Sequence, residues 1–220
     1  MRTVVFDLDG TLADTSKDLI AAANACFQGL DLGNLLDPVD DAATAFAGGR
    51  AMLRLGFERA GRHGEDEVDR QYPILLDAYA QDIDRHTVLY PGTMEAVERL
   101  KSGGYAVSIC TNKPEGLAET LMQRLGVRGA FGALVGADTL PVRKPDPAPF
   151  FEAVDRVGGT RNLSLLVGDT VTDRKTSAAA KVPSVLVTFG PTGRAVADLE
   201  PEALLDHYDQ LDAVVAGLIG

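Results

Sequence analysis

Short apolar runs alternate with amphipathic stretches through the second half of the chain, and their spacing predicts an α/β fold. The runs at 105–111, 132–137, 163–168 and 184–189 have the length of strands, and helical periodicity falls near 93–102, 114–125, 147–157 and 172–181. Such alternation predicts a mostly parallel sheet with right-handed crossovers. An earlier apolar run, Thr3-Val4-Val5-Phe6, opens a first strand over residues 3–9. Between about 15 and 85 the period is helical only. There Leu19, Ile20, Ala23, Phe27 and Leu30 share one face, and Val68, Tyr72, Leu75, Leu76, Tyr79 and Ile83 share another. Asp37-Pro38 and Gly48-Gly49 break that block. The expected organisation is a Rossmann-like core, residues 1–14 and 86–220, with a small helical bundle over 15–85 inserted just after the first strand.

Polar residues gather where the apolar runs stop. At the first, Asp7-Leu8-Asp9-Gly10-Thr11 sets two carboxylates two residues apart at a glycine turn. Strand side chains alternate, so Asp7 and Asp9 share an orientation for as long as the strand lasts. The bend at Gly10 brings both to its C-terminal mouth, where open α/β sheets bind ligands. Two neighbouring acids in different environments can divide a reaction at phosphorus between nucleophile and proton donor, and Mg²⁺ between them relieves their repulsion. Turn formation alone also accounts for Asp, Gly and Thr, and Thr11-x-x-Asp14 fits a helix capping box.

Three later run ends carry similar pairs of readings. Thr111, in Cys110-Thr111-Asn112-Lys113-Pro114, offers a hydroxyl and a helix start suited to a phosphoryl oxygen, while Thr-Asn is also an ordinary N-cap. Lys144, in Arg143-Lys144-Pro145-Asp146-Pro147, can hold a positive charge beside a carboxylate and a phosphate, or be a surface lysine. Asp169, in Val167-Gly168-Asp169-Thr170-Val171-Thr172-Asp173, can complete a Mg²⁺ site with Asp7, with Asp173 behind it. Thr170-x-x-Asp173 is itself a capping box, and both readings can hold for Thr170. All of these groups lie at C-terminal ends of strands predicted in one sheet, where they converge. That convergence favours a reaction centre over four unrelated turns.

Composition narrows the partners. With 220 residues, 45% of them hydrophobic, the chain can bury an ample core without staples. Thirty-two acidic against 21 basic residues leave a net charge of −11, which argues against an extended nucleic-acid surface or an anionic membrane partner. Any anion site must be local. The absence of a long apolar run and of a signal-peptide pattern after Met1-Arg2 predicts a cytoplasmic chain. Cys26 and Cys110 stand alone, without a C-x-x-C, and are expected as buried thiols.

In chain order, Asp7-Leu8-Asp9-Gly10-Thr11, Thr111-Asn112, Lys144-Pro145 and Gly168-Asp169 with Asp173 resemble the signatures of the haloacid-dehalogenase-like superfamily of phosphohydrolases. The resemblance covers essentially the whole chain, helical insert included, and makes that insert over 15–85 a small helical cap domain. Within that superfamily, Gly136-Ala137-Asp138-Thr139-Leu140-Pro141-Val142-Arg143-Lys144-Pro145-Asp146-Pro147-Ala148-Pro149, Val185-Leu186-Val187-Thr188-Phe189-Gly190 and Asp206-His207-Tyr208-Asp209-Gln210-Leu211 are similar to bacterial phosphoglycolate phosphatases. The resemblance implies Asp7 as a nucleophile that forms an aspartyl-phosphate and Asp9 as general acid and then base. It implies Thr111 and Lys144 as phosphate anchors, with Leu8, Gly10, Thr11 and Asn112 around the phosphate. It makes Asp169 a Mg²⁺ ligand with Asp7 and the Asp9 carbonyl, and has Asp173 orient metal waters or Lys144. A small phosphate ester would be the substrate, and the protein a monomer or homodimer. Departures from the family pattern are Arg174 and Lys175 in a usually alanine-rich helix, Lys181 at a glycine place, and Lys17 where proline is common.

Substrate choice is expected from the cap, since the core grips only phosphate and metal. The segment Ala47-Gly48-Gly49-Arg50 is the cap loop of interest: Arg50 could pair bidentately with a substrate carboxylate, or be a solvated arginine on a helix. His63, His86 and His207 lack ligand spacing and are expected on exposed faces. Competing functions remain. A dehalogenase shares the nucleophile, but Asp9 suits an alkoxide leaving group that needs a proton. A phosphosugar mutase or a nucleotide phosphatase is harder to exclude. A receiver domain also holds an aspartyl-phosphate beside Mg²⁺, although the first-strand nucleophile and the helical insert count against it, and an idle binding module would not need every polar role filled.

Overall fold

Thr3–Phe6 forms strand β1, with every side chain buried, and its two neighbours in the sheet come from segments more than a hundred residues away. The computed structural model describes residues 1–62 and 64–220, so the exposed place expected of His63 lies outside the described residues. The chain divides into two compact units, Met1–Ala13 with Leu89–Gly220, and Asp14–Val88.

After the short β2 (Ala13–Asp14), the second unit is helical: α1 (Ser16–Gln28), α2 (Ala42–Phe46), α3 (Gly49–Arg59) and α4 (Glu65–Gln81), followed by the two-residue β3 (Val88–Leu89). Most of each predicted face is packed, although Leu30 lies past the end of α1 and, like Tyr72 and Leu76, is only half-buried. Leu19, Ile20, Ala23 and Phe27 of α1 are buried, as are Val68, Leu75 and Tyr79 of α4. Helix α3 packs on Phe27 so closely that a Cβ at Gly56 would lie 2.1 Å from the ring, and Phe27 meets Phe57 edge-on with centroids 5.3 Å apart. The Asp18 carboxylate accepts from the N–H groups of His86 and Thr87, at 2.9 Å each for Oδ2, and so ties the return segment to α1. The expected loop at Ala47–Arg50 is corrected: Gly48 turns the chain at φ 100°, and Gly49 and Arg50 already belong to the first turn of α3. A Cβ at Gly49 would lie 3.0 Å from the Tyr72 ring, so the lack of a side chain there allows close packing.

The first unit continues through α5 (Thr93–Ser102), β4 (Ala106–Cys110), α6 (Glu115–Arg124), β5 (Ala133–Val135), α7 (Ala148–Asp155), β6 (Ser164–Gly168), α8 (Val171–Ala180), β7 (Ser184–Val187), β8 (Ala203–Leu205) and α9 (Leu211–Ile219). The sheet order is β5-β4-β1-β6-β7-β8, with all pairs parallel. Strand β8 was not predicted; three residues, two of them only half-buried, give too short a pattern to read. Val5, Cys110, Val135, Phe150, Ala153, Val154 and Leu166 form one buried cluster between the sheet and α7. Cys26 and Cys110 are buried free thiols, as expected. Because β4 and β5 lie on one side of β1 and β6 to β8 on the other, the crossovers run in opposite directions from β1, and open α/β sheets bind ligands beyond the strand ends at such a switch point. Among the described residues no helix is long and apolar enough to cross a membrane.

Candidate active site

Asp7 lies one residue beyond β1, and its N–H donates to the Val167 carbonyl at 2.8 Å. The strand is shorter than the predicted 3–9, because the Leu8 carbonyl accepts from the N–H groups of Thr11, Leu12 and Ala13 at 3.3, 2.9 and 3.2 Å and curls the chain. Gly10 sits in that curl at φ 78°, a conformation glycine adopts without strain. The curl ends the alternation that would have kept Asp7 and Asp9 parallel. Each acid instead meets its own lysine: Lys144 Nζ lies 3.0 Å from Asp7 Oδ1, and Lys113 Nζ donates to Asp9 Oδ1 at 2.7 Å. Both lysines are buried, and both precede a proline, which disfavours helical backbone at the lysine.

Lys144 also donates to Asp173 Oδ1 at 2.7 Å. The other oxygen of Asp173 accepts from the Thr170 hydroxyl at 2.7 Å and from the N–H groups of Thr170 and Asp169 at 3.1 and 3.3 Å. The capping box predicted for Thr170 and Asp173 is therefore formed at the start of α8, and the same carboxylate anchors Lys144. Gly168 makes this possible, since a Cβ there would lie 2.3 Å from Asp173 Cγ. The Asn112 amide donates to the Lys144 carbonyl at 2.9 Å and ties two of the signature loops together.

Two capping alternatives are not realised. Thr11 Oγ1 donates to Asp169 Oδ1 at 3.1 Å, while Asp14 accepts from Ser16, so Thr11 and Asp14 form no box. At the start of α6 the Glu115 N–H donates to Asp138 Oδ1 at 2.7 Å. Thr111 is left at the β4 mouth, where its hydroxyl accepts from the Lys113 N–H at 3.1 Å.

Burial sets the charges in this cluster. It pushes the Asp7 carboxyl up to about 7 against the pull of Lys144, with Asp173 and Asp9 adding repulsion. Burial, then Asp173 and Asp7, raise Asp169 well above the ordinary carboxylate range, although the Thr11 hydroxyl opposes them. For Asp173 burial also acts upward, but the charge and hydrogen bond of Lys144 and the bonds from Thr170 outweigh it and hold the carboxyl low. Burial acts downward on Lys144 and is overcome by Asp173 and Asp7, which keep the ammonium charged.

Asp7, Asp169 and Asp173 each offer a carboxylate oxygen within 4.8 Å of the others, and all three are buried. Clustered anions out of water are costly. A set made only of hard oxygens suits a divalent cation of the same preference, which would relieve the repulsion that raises Asp7 and Asp169. Asp173 has both oxygens engaged, so Asp7 and Asp169 are the acids better placed to serve as ligands.

The family described as haloacid dehalogenase-like hydrolase matches residues 4–187. The chain belongs to that family. It is 38% identical to a phosphoglycolate phosphatase of Mesorhizobium japonicum, over 97% of this chain and 94% of the relative. It is 33% identical to a phosphoglycolate phosphatase of Cereibacter sphaeroides, over the full length of both. A solved structure from Streptococcus pneumoniae, of a haloacid dehalogenase-like family hydrolase, shares its fold with a TM-score of 0.81 at 20% identity, covering 97% of this chain and 98% of that one.

In this haloacid dehalogenase-like hydrolase, sequence reasoning left several supporting residues without a role. Lys113 is one: Lys113-Pro114 repeats the Lys144-Pro145 pattern at another strand end, and that repetition is its signal in the sequence. Tyr208 is buried, and its hydroxyl donates to the Thr11 carbonyl at 2.7 Å. Its ring packs on Phe189, with centroids 5.3 Å apart, and Phe189 packs on Tyr90. Gly190 follows, where a Cβ would lie 3.3 Å from the Gly10 carbonyl oxygen. The two late motifs thus brace the turn that carries Asp9. Arg50 pairs with Asp69 and lies over the Tyr72 ring, 4.6 Å from its centroid, inside the helical unit. His86 and His207 are exposed.

Proposed function

We propose that the chain is a Mg²⁺-dependent phosphomonoester hydrolase whose substrate is 2-phosphoglycolate. The observation that carries this reading is the separation of the two strand-end acids: buried Asp7 lies beside Lys144, and Asp9 beside Lys113. One acid can attack while the other moves a proton. Asp7 attacks phosphorus and the ester P–O bond breaks. Asp9 gives its proton to the departing oxygen, which leaves an alcohol and an aspartyl-phosphate. Asp9, now a carboxylate, takes a proton from water as that water attacks the same phosphorus, releasing phosphate and restoring Asp7.

Thr111, the loop groups of Leu8, Gly10, Thr11 and Asn112, and Lys144 hold the phosphoryl oxygens in this reading, since phosphoryl transfer is catalysed mostly by positioning and charge neutralisation. Asp7, Asp169 and the Asp9 carbonyl are the Mg²⁺ ligands, Asp173 fixes Lys144, and the bound cation supplies charge neutralisation. The core is residues 1–14 and 86–220, and the cap, with Arg50, is 15–85. The choice of 2-phosphoglycolate is supported by the full-length relatives that bear that activity in their names. Phosphate release measured across 2-phosphoglycolate, glucose 1-phosphate and nucleoside monophosphates, with Mg²⁺ and after chelation, tests it. The highest kcat/KM should fall on 2-phosphoglycolate. No turnover of that ester with Mg²⁺ present would overturn the assignment.

A further inference from the structure

Lys113 is the buried cation of the core unit that the proposed chemistry does not use. Its side chain is 4% exposed, and its ammonium lies 2.7 Å from an oxygen of Asp9. It comes from the same turn as Thr111, two residues on, and its N–H is bonded to the Thr111 hydroxyl. Its place relative to the phosphate anchors is therefore set by backbone. Lys144 faces Asp7 and Asp173. Lys113 faces Asp9, the acid assigned to the departing oxygen.

From this geometry we propose that Lys113 determines specificity by receiving a negative charge carried on the leaving group, and for 2-phosphoglycolate that charge is the carboxylate. The inference rests on the reading of the site given above and names the residue behind its substrate choice. Reach supports it. To receive the proton, the ester oxygen must sit about 2.7 Å from Asp9, the usual length of such a bond, and Lys113 is equally close to Asp9. The ester oxygen and the ammonium then share the Asp9 carboxyl as a neighbour, and a carboxylate one carbon from that oxygen is the leaving-group charge nearest to them. Charge supports it as well. Once it has given up its proton, Asp9 repels an anionic leaving group, and a cation between two carboxylates turns that repulsion into attraction. Burial keeps water from screening the effect. A neutral leaving group of the same size gains nothing from Lys113.

The test compares 2-phosphoglycolate with 2-hydroxyethyl phosphate, which has the same length and no carboxylate, in the wild type, K113M, K113Q and K113R, all with Mg²⁺. Circular dichroism and thermal melts identify the folded variants. Wild type should prefer the carboxylate ester. In K113M or K113Q the ratio of the two kcat/KM values should drop on the order of 10²–10³-fold, the usual consequence of removing one partner of a buried charge pair, and K113R should recover part of it. A positioning effect on Asp9 alone would slow both esters by the same factor, and that result overturns the proposal. So does a wild type indifferent to the carboxylate. Should 2-phosphoglycolate prove not to be the substrate, 2-phosphoglycerate against glycerol 2-phosphate, which keeps the carboxylate one carbon from the ester oxygen, gives the same comparison: a ratio that collapses in K113M sustains the inference, and an unchanged ratio ends it.

Discussion

Asp7 and Asp9 differ only by environment, and the difference predicts two different losses. Asp7→Asn keeps the shape and removes the proposed nucleophile, so turnover should fall to background while circular dichroism and the melting temperature hold. Mass spectrometry must show that the asparagine has not deamidated, and substantial activity in that intact protein contradicts the assignment. Asp9→Asn should slow the first chemical step by about 10²–10⁴, the range for general acid–base catalysis. The loss should be greater for 2-phosphoglycolate than for p-nitrophenyl phosphate, whose phenolate leaves with little help. Single-turnover kinetics of that step is the measurement, because hydrolysis of the common aspartyl-phosphate can mask the difference in the steady state. The acids and Thr111 were legible in the sequence because each ends an apolar run. Lys113 was not, since its partner lies 104 residues away, and nothing local says which way a strand-end lysine turns.

The elements followed their hydrophobic periods closely, and where they departed, backbone hydrogen bonding explains it. β1 stops at Phe6 because the Leu8 carbonyl gathers three N–H donors. The loop expected at Gly48-Gly49 is instead a helix start, because φ 100° at Gly48 completes the turn in one residue. Lys181 shows the reverse case: a residue standing at a family glycine place takes the backbone a glycine would take. It ends α8 at φ 57°, with its N–H on the Ala178 carbonyl at 3.2 Å. Left-handed backbone costs an L-residue roughly 1–2 kcal/mol, and the extra freedom of glycine in the unfolded chain returns about 0.4–1 kcal/mol of that. Lys181→Gly should therefore stabilise the protein by about 0.5–1 kcal/mol in urea denaturation, without changing kcat. A loss of stability would mean that the lysine side chain contributes more than the strain it imposes.

For the whole molecule, the cation should matter to stability as well as to rate. A ligand that binds only the folded protein stabilises it by about 2.7 kcal/mol at a hundredfold excess over its Kd, and in the proposed reading the buried acids Asp7 and Asp169 would give Mg²⁺ such a preference. The melting temperature should rise with Mg²⁺ in wild type and much less in Asp169→Asn, and activity should vanish on chelation. Calcium should support less turnover, since its larger and more variable shell disturbs the in-line geometry. Full activity after exhaustive chelation would refute the metal site. Taken by itself, the sequence determined the α/β alternation, the helical insert and the strand ends where chemistry collects, because periodicity and turn residues act over a few positions. The tertiary structure alone decided the pairing of each acid with its lysine, the bracing of the Thr11 carbonyl by Tyr208 and the need for glycine at 168. Those depend on which strands become neighbours in a sheet ordered β5-β4-β1-β6-β7-β8, and neighbourhood across a hundred residues is set by packing, which no local pattern encodes.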